Sequence, residues 1–302
     1  MKRWLLRLLS TFILAMMLAI GYYGYHIWSA AKRLYEPPKL SKSALRSEPV
    51  DIAKDPVALL FLGVDERQGD RGRSDSIIVA TTNPGRKSVV LTNIPRDTLV
   101  KIPGRLGRDK INHSYAYGGI ELTRKTVEHF LQIPIDGYVK VNMQGLKEIV
   151  NELGGIEVDV PFTFHYNGYL FKKGKMHVNG DQALAFARMR KNDPSGDFGR
   201  MKRQQELIRG IIHKGTTLHS LTNLANILEQ LGGNIKTDIS PVQLFQLQRL
   251  YANLPDEQIR SVSIKGKNTL IDGVYYYKVD ENEKMRVHQQ LARQLDWSPG
   301  ER

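Results

Sequence analysis

Four arginines stand on either side of one loop. Arg188 and Arg190 close the run ALAFARMR, Arg200 and Arg203 open the run FGRMKRQ, and the turn-rich NDPSG lies between them. Planar guanidinium forks match phosphate oxygens two at a time, so such a convergence points to a phosphate ligand. A second set of charges brackets apolar runs. Asp65 follows VALLFLGV, Asp75 precedes SIIVATT, Arg96 and Asp97 follow SVVLTNIP, and Arg73 and Lys110 lie close by. Strand ends of an α/β sheet are where ligand sites form. Two aspartates are too few for a closed metal cage, but they suit Mg2+, which keeps waters and takes further ligands from substrate phosphates. Cations beside them would stabilise charge on phosphoryl oxygens and on a departing phosphate. Any one of these charges alone reads more readily as a solvated loop charge. Their repetition at strand ends carries the reading.

The elements that must hold these residues follow from periodicity and caps. Asn179 caps a helix predicted over 179–189, and a second helix starts near Asp197, whose carboxylate suits a helix N-terminus. On that second helix Arg200, Gln204, Leu207 and Ile211 share one face, basic at first and apolar further along. A salt-bridged surface helix is the plain alternative. Val57–Val64 is an unbroken apolar run, the pattern of a strand buried on both faces. Further strands are predicted at 76–82, 88–94, 138–142, 156–160, 259–264 and 273–279. Helices are predicted at 119–131, 143–153, 218–231, 241–254 and 282–295, and a hairpin extension over 162–178. This alternation predicts an α/β (α+β) sandwich, a central mixed β-sheet flanked by helices.

The chain has 302 residues and a formal net charge of +13. Five of those charges lie in residues 1–35, which hold no acid, so the body is basic in its own right and calls for an anionic partner. From Leu8 to Trp28 there is no charged side chain, about the length a helix needs to cross a bilayer. Tyr22, Tyr23, Tyr25 and Trp28 cluster at one end, and Lys2, Arg3 and Arg7 flank the other, which keeps the N-terminus cytoplasmic. A cleaved signal peptide is the competing reading, with Ser29-Ala30-Ala31 as its site. The expected division is a cytoplasmic end (1–7), a membrane anchor (8–28), an extracytoplasmic linker (29–56) and a catalytic domain (57–302). With no cysteine, disulfides, Cys-ligated zinc and thiol catalysis are excluded.

No Walker loop, GxGxxG or GxSxG occurs, and no helix-turn-helix or RNA-binding signature supports a nucleic-acid partner. His113 and His129 sit at no metal-ligand spacing, and Tyr115 and Tyr117 read first as packing residues, with stacking on a sugar as the alternative. Five ordered strings carry a more specific signal: GVDERQGDRGRSDS (63–76), NIPRDT (93–98), DKINHSYAYGG (109–119), NELGGIEVDV (151–160) and ALAFARMRKNDPSGDFGRMKRQ (183–204). Together they resemble the LytR-CpsA-Psr family, from about Pro56 to the C-terminus and including GVYYYKVD (273–280).

That resemblance implies a membrane-anchored phosphotransferase. Such enzymes move an anionic glycopolymer, wall teichoic acid among them, from an undecaprenyl-pyrophosphate carrier to the muramic acid 6-hydroxyl of peptidoglycan. It implies Mg2+ (with Mn2+ as a substitute) at Asp65 and Asp75, and the pyrophosphate at or near Arg73, Arg96, Lys110, Arg188, Arg190, Arg203 and Gln204. Asp197 and Arg200 match the acid and the arginine of the family's D-x-x-R pattern. Arg96, Asp75 and Asp97 are the expected catalytic groups, with Asp75 ahead of Asp97 for deprotonating the acceptor. Leu207 and Ile211, together with Phe130, are the expected lining of a polyprenyl slot, with ordinary core packing as the alternative. Two other functions remain open on sequence: a non-catalytic wall-polymer-binding or envelope regulatory protein, and a carrier pyrophosphatase.

Overall fold

The computed structural model describes residues 34–38, 42–66, 72–190, 193–215, 233–251 and 254–298. In chain order the strands are β1 (Val57–Val64), β2 (Ser74–Asn83), β3 (Ser88–Asn93), β4 (Leu99–Val100), β5 (Asp109–Lys110), β6 (Gly137–Asn142), β7 (Ile156–Val160), β8 (Phe164–Tyr166), β9 (Tyr169–Phe171), β10 (Gly174–Val178), β11 (Ile235–Thr237), β12 (Ile259–Ser263), β13 (Lys267–Ile271) and β14 (Val274–Lys278). The helices are α1 (His113–Leu131), α2 (Met143–Glu152), α3 (Gly180–Arg188), α4 (Asp197–Gly215), α5 (Pro241–Leu250) and α6 (Glu281–Gln294).

Six strands form a mixed sheet in the order β11-β6-β1-β2-β3-β12. β1 pairs parallel with β6 and antiparallel with β2, and β3 pairs parallel with β12. The expected mixed sheet between helices is therefore present. Central β1 is apolar throughout because both its faces are covered. Ala58, Leu60 and Leu62 pack with Val127 and Leu131 of α1 and Val287 and Leu291 of α6. On the other face Val57 and Leu59 meet Ile239, while Leu91 and Ile259 meet Ile208 and Ile212 of α4 and Leu247 of α5.

A smaller core lies beside this sandwich. β7 pairs with β10, β8 with β9, and Phe164, Phe171 and Phe186 stack beneath them with Leu207 and Ile211. α4 is thus a wedge: Ile208 and Ile212 face the main sheet, whereas Leu207 and Ile211 face the smaller core. Two local devices set its surroundings. α3 opens with a capping box in which Asn179 and Gln182 satisfy each other's backbone amides at 3.0 Å. α1 starts earlier than predicted, at His113, and breaks at Gly119, whose φ of 63° and ψ of −152° belong to a region only glycine enters freely.

One expectation changes. The linker expected over 29–56 is, in its described part, packed on the domain. Leu34 and Ile52 are buried, Ser43 Oγ donates to Glu128 at 2.6 Å, and Arg46 pairs with Asp136 at 2.7 Å. Burying those two acids without a partner would be costly, so the segment is held in place. The strand expected at 273–279 is present as β14, one half of a hairpin whose other strand, β13, is too polar to show an apolar pattern. The expected helix at 218–231 and the membrane span at 8–28 lie outside the described residues. Among the described residues no helix is long and apolar enough to cross a membrane.

One buried acid makes the fold pH-sensitive. Asp238 follows β11 and accepts the Tyr138 amide at 2.7 Å. Burial lifts its carboxyl from 3.8 to about 6, against the pull of that amide and of Arg124. A carboxyl whose folded pKa exceeds its unfolded one favours folding fully below the unfolded value and loses that contribution as the pH rises through the folded value. Asp238→Asn keeps an acceptor for the Tyr138 amide. It is expected to remove on the order of 2 kcal/mol of the decline in stability between about pH 4 and about pH 7. Urea unfolding at a series of pH values reads this, and an unaltered pH profile would sink it.

Candidate active site

The C-terminal ends of β1, β3 and β6 and the start of β2 lie at one end of the main sheet, because β1, β3 and β6 run one way and β2 the other. That end carries the site. Asp65 leaves β1 with its amide bonded to the Arg73 carbonyl at 3.3 Å, and Asp75 is the second residue of β2, at the bulge between its pairings with Gly63 and Val64. Arg96 and Asp97 follow β3. α4 arrives over the same edge, fastened by Ser76 Oγ donating to Gln204 at 3.0 Å and Asn93 Nδ2 donating to the Met201 carbonyl at 3.1 Å.

Charges alternate across this edge. Arg96 Nη1 donates to Asp75 at 2.7 Å, and its Nε lies 3.7 Å from Asp97 Oδ2. Lys110 Nζ, carried in by β5, is 2.9 Å from the other Asp97 oxygen. From the helical side, Arg200 and Arg190 lie 2.6 and 3.7 Å from Asp197 Oδ1, and Arg188 lies 3.8 Å from Asp65. Arg96 and Arg200 are near enough to feel each other's charge. Burial alone would lower the Arg96 pKa, but Asp75, Asp97 and Asp197 outweigh it and raise the value. Burial lowers the Arg200 pKa, the neighbouring Arg96 adds to this, and Asp197 opposes it. Both guanidinium groups keep a buried Nε–H with no hydrogen-bond partner. Buried donors normally find partners. Arg124 and Arg209 also keep such an Nε–H, but those of Arg96 and Arg200 lie on two guanidinium groups close enough to repel each other, an arrangement that an anion would relieve.

The structure thus brings Asp65, Asp75, Arg96, Asp97, Lys110, Arg188, Arg190, Asp197, Arg200 and Gln204 to one end of the sheet. Arg73 is exposed, with its backbone against Asp65 and its charge near Tyr117. Arg203 is different. It is 1% exposed, with Nε bonded to the Phe186 carbonyl at 3.0 Å, Nη2 to the Met189 carbonyl and Nη1 to Asp193. All three nitrogens are spent on the loop that presents Arg188 and Arg190, so Arg203 positions the site and does not reach a ligand. Of the residues expected to line a polyprenyl slot, Phe130 packs in the α1–α6 core and Leu207 and Ile211 in the smaller core.

Three features were missed. Tyr275 and Tyr276 of β14 place their rings 5.9 and 5.6 Å from Lys110 Nζ, a cation–π shelf beside Asp97. Lys140 donates to both oxygens of Glu66 at 2.9 Å, and Tyr115 donates to the same carboxylate at 2.6 Å. Asp109 accepts from Tyr117 at 2.7 Å and lies 2.9 Å from His113, which pulls its pKa down in spite of burial. The string DKINHSYAY held the whole of the last set and Tyr115 of the one before it, but nothing in it said which residues would meet.

Among the described residues no group of three or more acids and histidines could hold a metal ion. Asp65 and Asp75 by themselves offer only two carboxylates, so a cation held there would have to complete its shell with water and phosphate oxygens.

Residues 25–293 match the LytR_cpsA_psr family. The polyisoprenyl-teichoic acid–peptidoglycan teichoic acid transferase TagU of Bacillus subtilis is 41% identical over 300 residues, covering 98% of this chain and 97% of its own. The crystal structure of B. subtilis TagV is similar with a TM-score of 0.74 at 39% identity, over 82% of this chain and 99% of that one. The B. subtilis protein YwtF (TagT), solved with bound octaprenyl pyrophosphate lipid, is similar with a TM-score of 0.70 at 30% identity, over 86% of this chain and 99% of that one. With its arginine-lined sheet end, its matched profile and relatives along nearly its whole length, this chain belongs to the LytR-CpsA-Psr family.

Proposed function

We propose that the protein transfers an anionic glycopolymer, wall teichoic acid by analogy with its relatives, from an undecaprenyl-pyrophosphate carrier to the muramic acid 6-hydroxyl of peptidoglycan. The observation that carries this reading is the pair of buried, unpartnered Nε donors on Arg96 and Arg200, set among Lys110, Arg188 and Arg190. A pyrophosphate would satisfy both donors and neutralise the mutual repulsion of the two arginines. The acceptor oxygen attacks the polymer-side phosphorus, the bond from that phosphorus to the bridging oxygen breaks, and undecaprenyl phosphate leaves. Arg96 and Arg200 hold the phosphoryl oxygens as charge redistributes, and Lys110 serves the departing phosphate. Asp75, held by Arg96, takes or orients the acceptor proton, with Asp97 next in line. A Mg2+ or Mn2+ ion at Asp65 and Asp75 would add positive charge at the phosphate oxygens. The 8–28 segment would anchor the chain with this domain outside the membrane.

Incubating the full-length chain in detergent with a short pyrophosphate-linked polymer donor, peptidoglycan oligomers and Mg2+ is expected to give covalent polymer–glycan product. Free phosphorylated polymer without attachment would make the protein a hydrolase. Tight donor binding without turnover would make it a carrier-binding protein.

A further inference from the structure

The site sets four acids against five cations, so it accounts for little of the surplus positive charge of the body. Part of that surplus collects in a groove of about 460 Å3 along the outer edge of the main sheet, between β12 and α6. Arg86, Arg260, Lys265, Arg286 and Arg293 line it, and no acidic side chain does. Glu283 pairs with Arg286 at 2.6 Å from outside the groove, and Asp296 pairs with Arg86. Arg260 and Arg293 are exposed and have no ion-pair partner among the described residues.

The groove has a direction. Along β12, Arg260 pairs with Val90 of β3 and Ser263 with Asn93, three residues before Arg96. Its Ser263–Lys265 end therefore opens at the catalytic end of the sheet, while Arg86, in the turn between β2 and β3, marks the far end. The six residues of β3 alongside give it a length of roughly 20 Å at the usual strand rise. An open sheet edge invites strand addition, but here Arg286 Nη2 donates to the Ser263 carbonyl at 2.7 Å and blocks that pairing at the mouth. A peptide strand is a poor fit to such an edge. A chain of regularly spaced negative charges is a good one.

We infer that this groove is an extended subsite for the donor's polymer, binding successive anionic repeats beyond the pyrophosphate. The inference rests on the transfer reading above and adds where the polymer lies. Affinity here comes from charge neutralisation along the chain, so it grows with polymer length and falls with salt.

The test compares the wild-type full-length chain with Arg260→Glu/Arg293→Glu, using one donor with a single anionic repeat and one with about ten. Both side chains are exposed, and Arg260→Gln/Arg293→Gln serves as a milder pair expected to shift the same way by less. The long-donor KM is expected to rise about tenfold in the reversed variant with a weaker salt dependence, while the short-donor kcat/KM stays within about twofold. An equal change for both donors, or none for either, overturns the inference. Equilibrium binding of a free poly(glycerol phosphate) oligomer is read separately. It is expected to weaken about tenfold in the variant even if neither donor turns over in the wild type, an outcome that would fail the transfer reading alone. Loss of binding to phosphatidylglycerol vesicles with an unchanged long-donor KM would assign the groove to the membrane surface and overturn the inference.

Discussion

Replacing Arg96 with alanine is expected to slow transfer about a thousandfold, with most of the loss in kcat. Removing one preorganised donor from a transition-state oxyanion costs about a hundredfold to a thousandfold, and arginines serving phosphoryl transfer reach the upper part of that range and beyond. Arg96 belongs there because it does two things at once. It holds Asp75 at 2.7 Å and it offers a buried Nε–H that nothing in the protein accepts. Alanine would leave Asp75 facing a pyrophosphate without its cation and Asp97 with Lys110 alone, so donor affinity falls too, by less. Arg96→Lys is expected to recover part of the rate, since a point charge can pair with Asp75 or with a phosphate oxygen but cannot fork between them. Initial rates with the short donor, together with an unfolding curve that stays near wild type, would establish this. A loss below about tenfold in Arg96→Ala would remove the residue from the reaction.

The strand ends of this site were legible because their pattern is local. Asp65, Asp75, Arg96 and Asp97 each adjoin an apolar run, and an apolar run must end at the edge of a sheet. Likewise Asn179 announces its helix through the reciprocal bond with Gln182, three residues on. What local pattern could not show was which arginine faces the ligand. Arg200 and Arg203 lie three residues apart on one helix face and look equivalent. The difference between them comes from Phe186, Met189 and Asp193, which the preceding loop brings around Arg203 and not around Arg200. The packed segment after residue 34 was hidden for a similar reason. Its proline-bearing, polar composition resembles a stalk, and only the distant partners Glu128 and Asp136 pin it down. The grouping of Leu207 with Phe130 was equally out of reach, because both are apolar and helical and only their packing shows that they serve separate cores. The shelf of Tyr275 and Tyr276 depends on a hairpin 165 residues on from Lys110, joined to the site by the Tyr277 amide donating to the Asp97 carbonyl at 2.9 Å.

The largest expected loss of stability comes from a residue that no ligand touches. Arg203 and Asp193 form an ion pair whose side chains are 1% and 2% exposed. Such a pair gains little over apolar residues of the same shape, but breaking it strands a buried charge at a cost of about 3–5 kcal/mol. Arg203→Met fills similar volume and removes every guanidinium donor, leaving the Asp193 carboxylate with the Ser195 amide but no counter-charge, and the Phe186 and Met189 carbonyls without their side-chain donor. Urea unfolding should show a loss in that range, and Arg203→Met/Asp193→Asn should lose less than Arg203→Met alone, because the stranded charge is gone. Gly199→Ala probes the same contact from the other side, since a Cβ there would overlap the Asp193 carboxylate, with no ionisable group changed. Where the variants remain folded, transfer should fall through kcat as the loop bearing Arg188 and Arg190 loosens, with donor affinity reduced in step. If Arg203→Met instead unfolds within about 1 kcal/mol of wild type while donor binding collapses, the guanidinium reaches the pyrophosphate after all, and the division of labour between Arg200 and Arg203 is reversed.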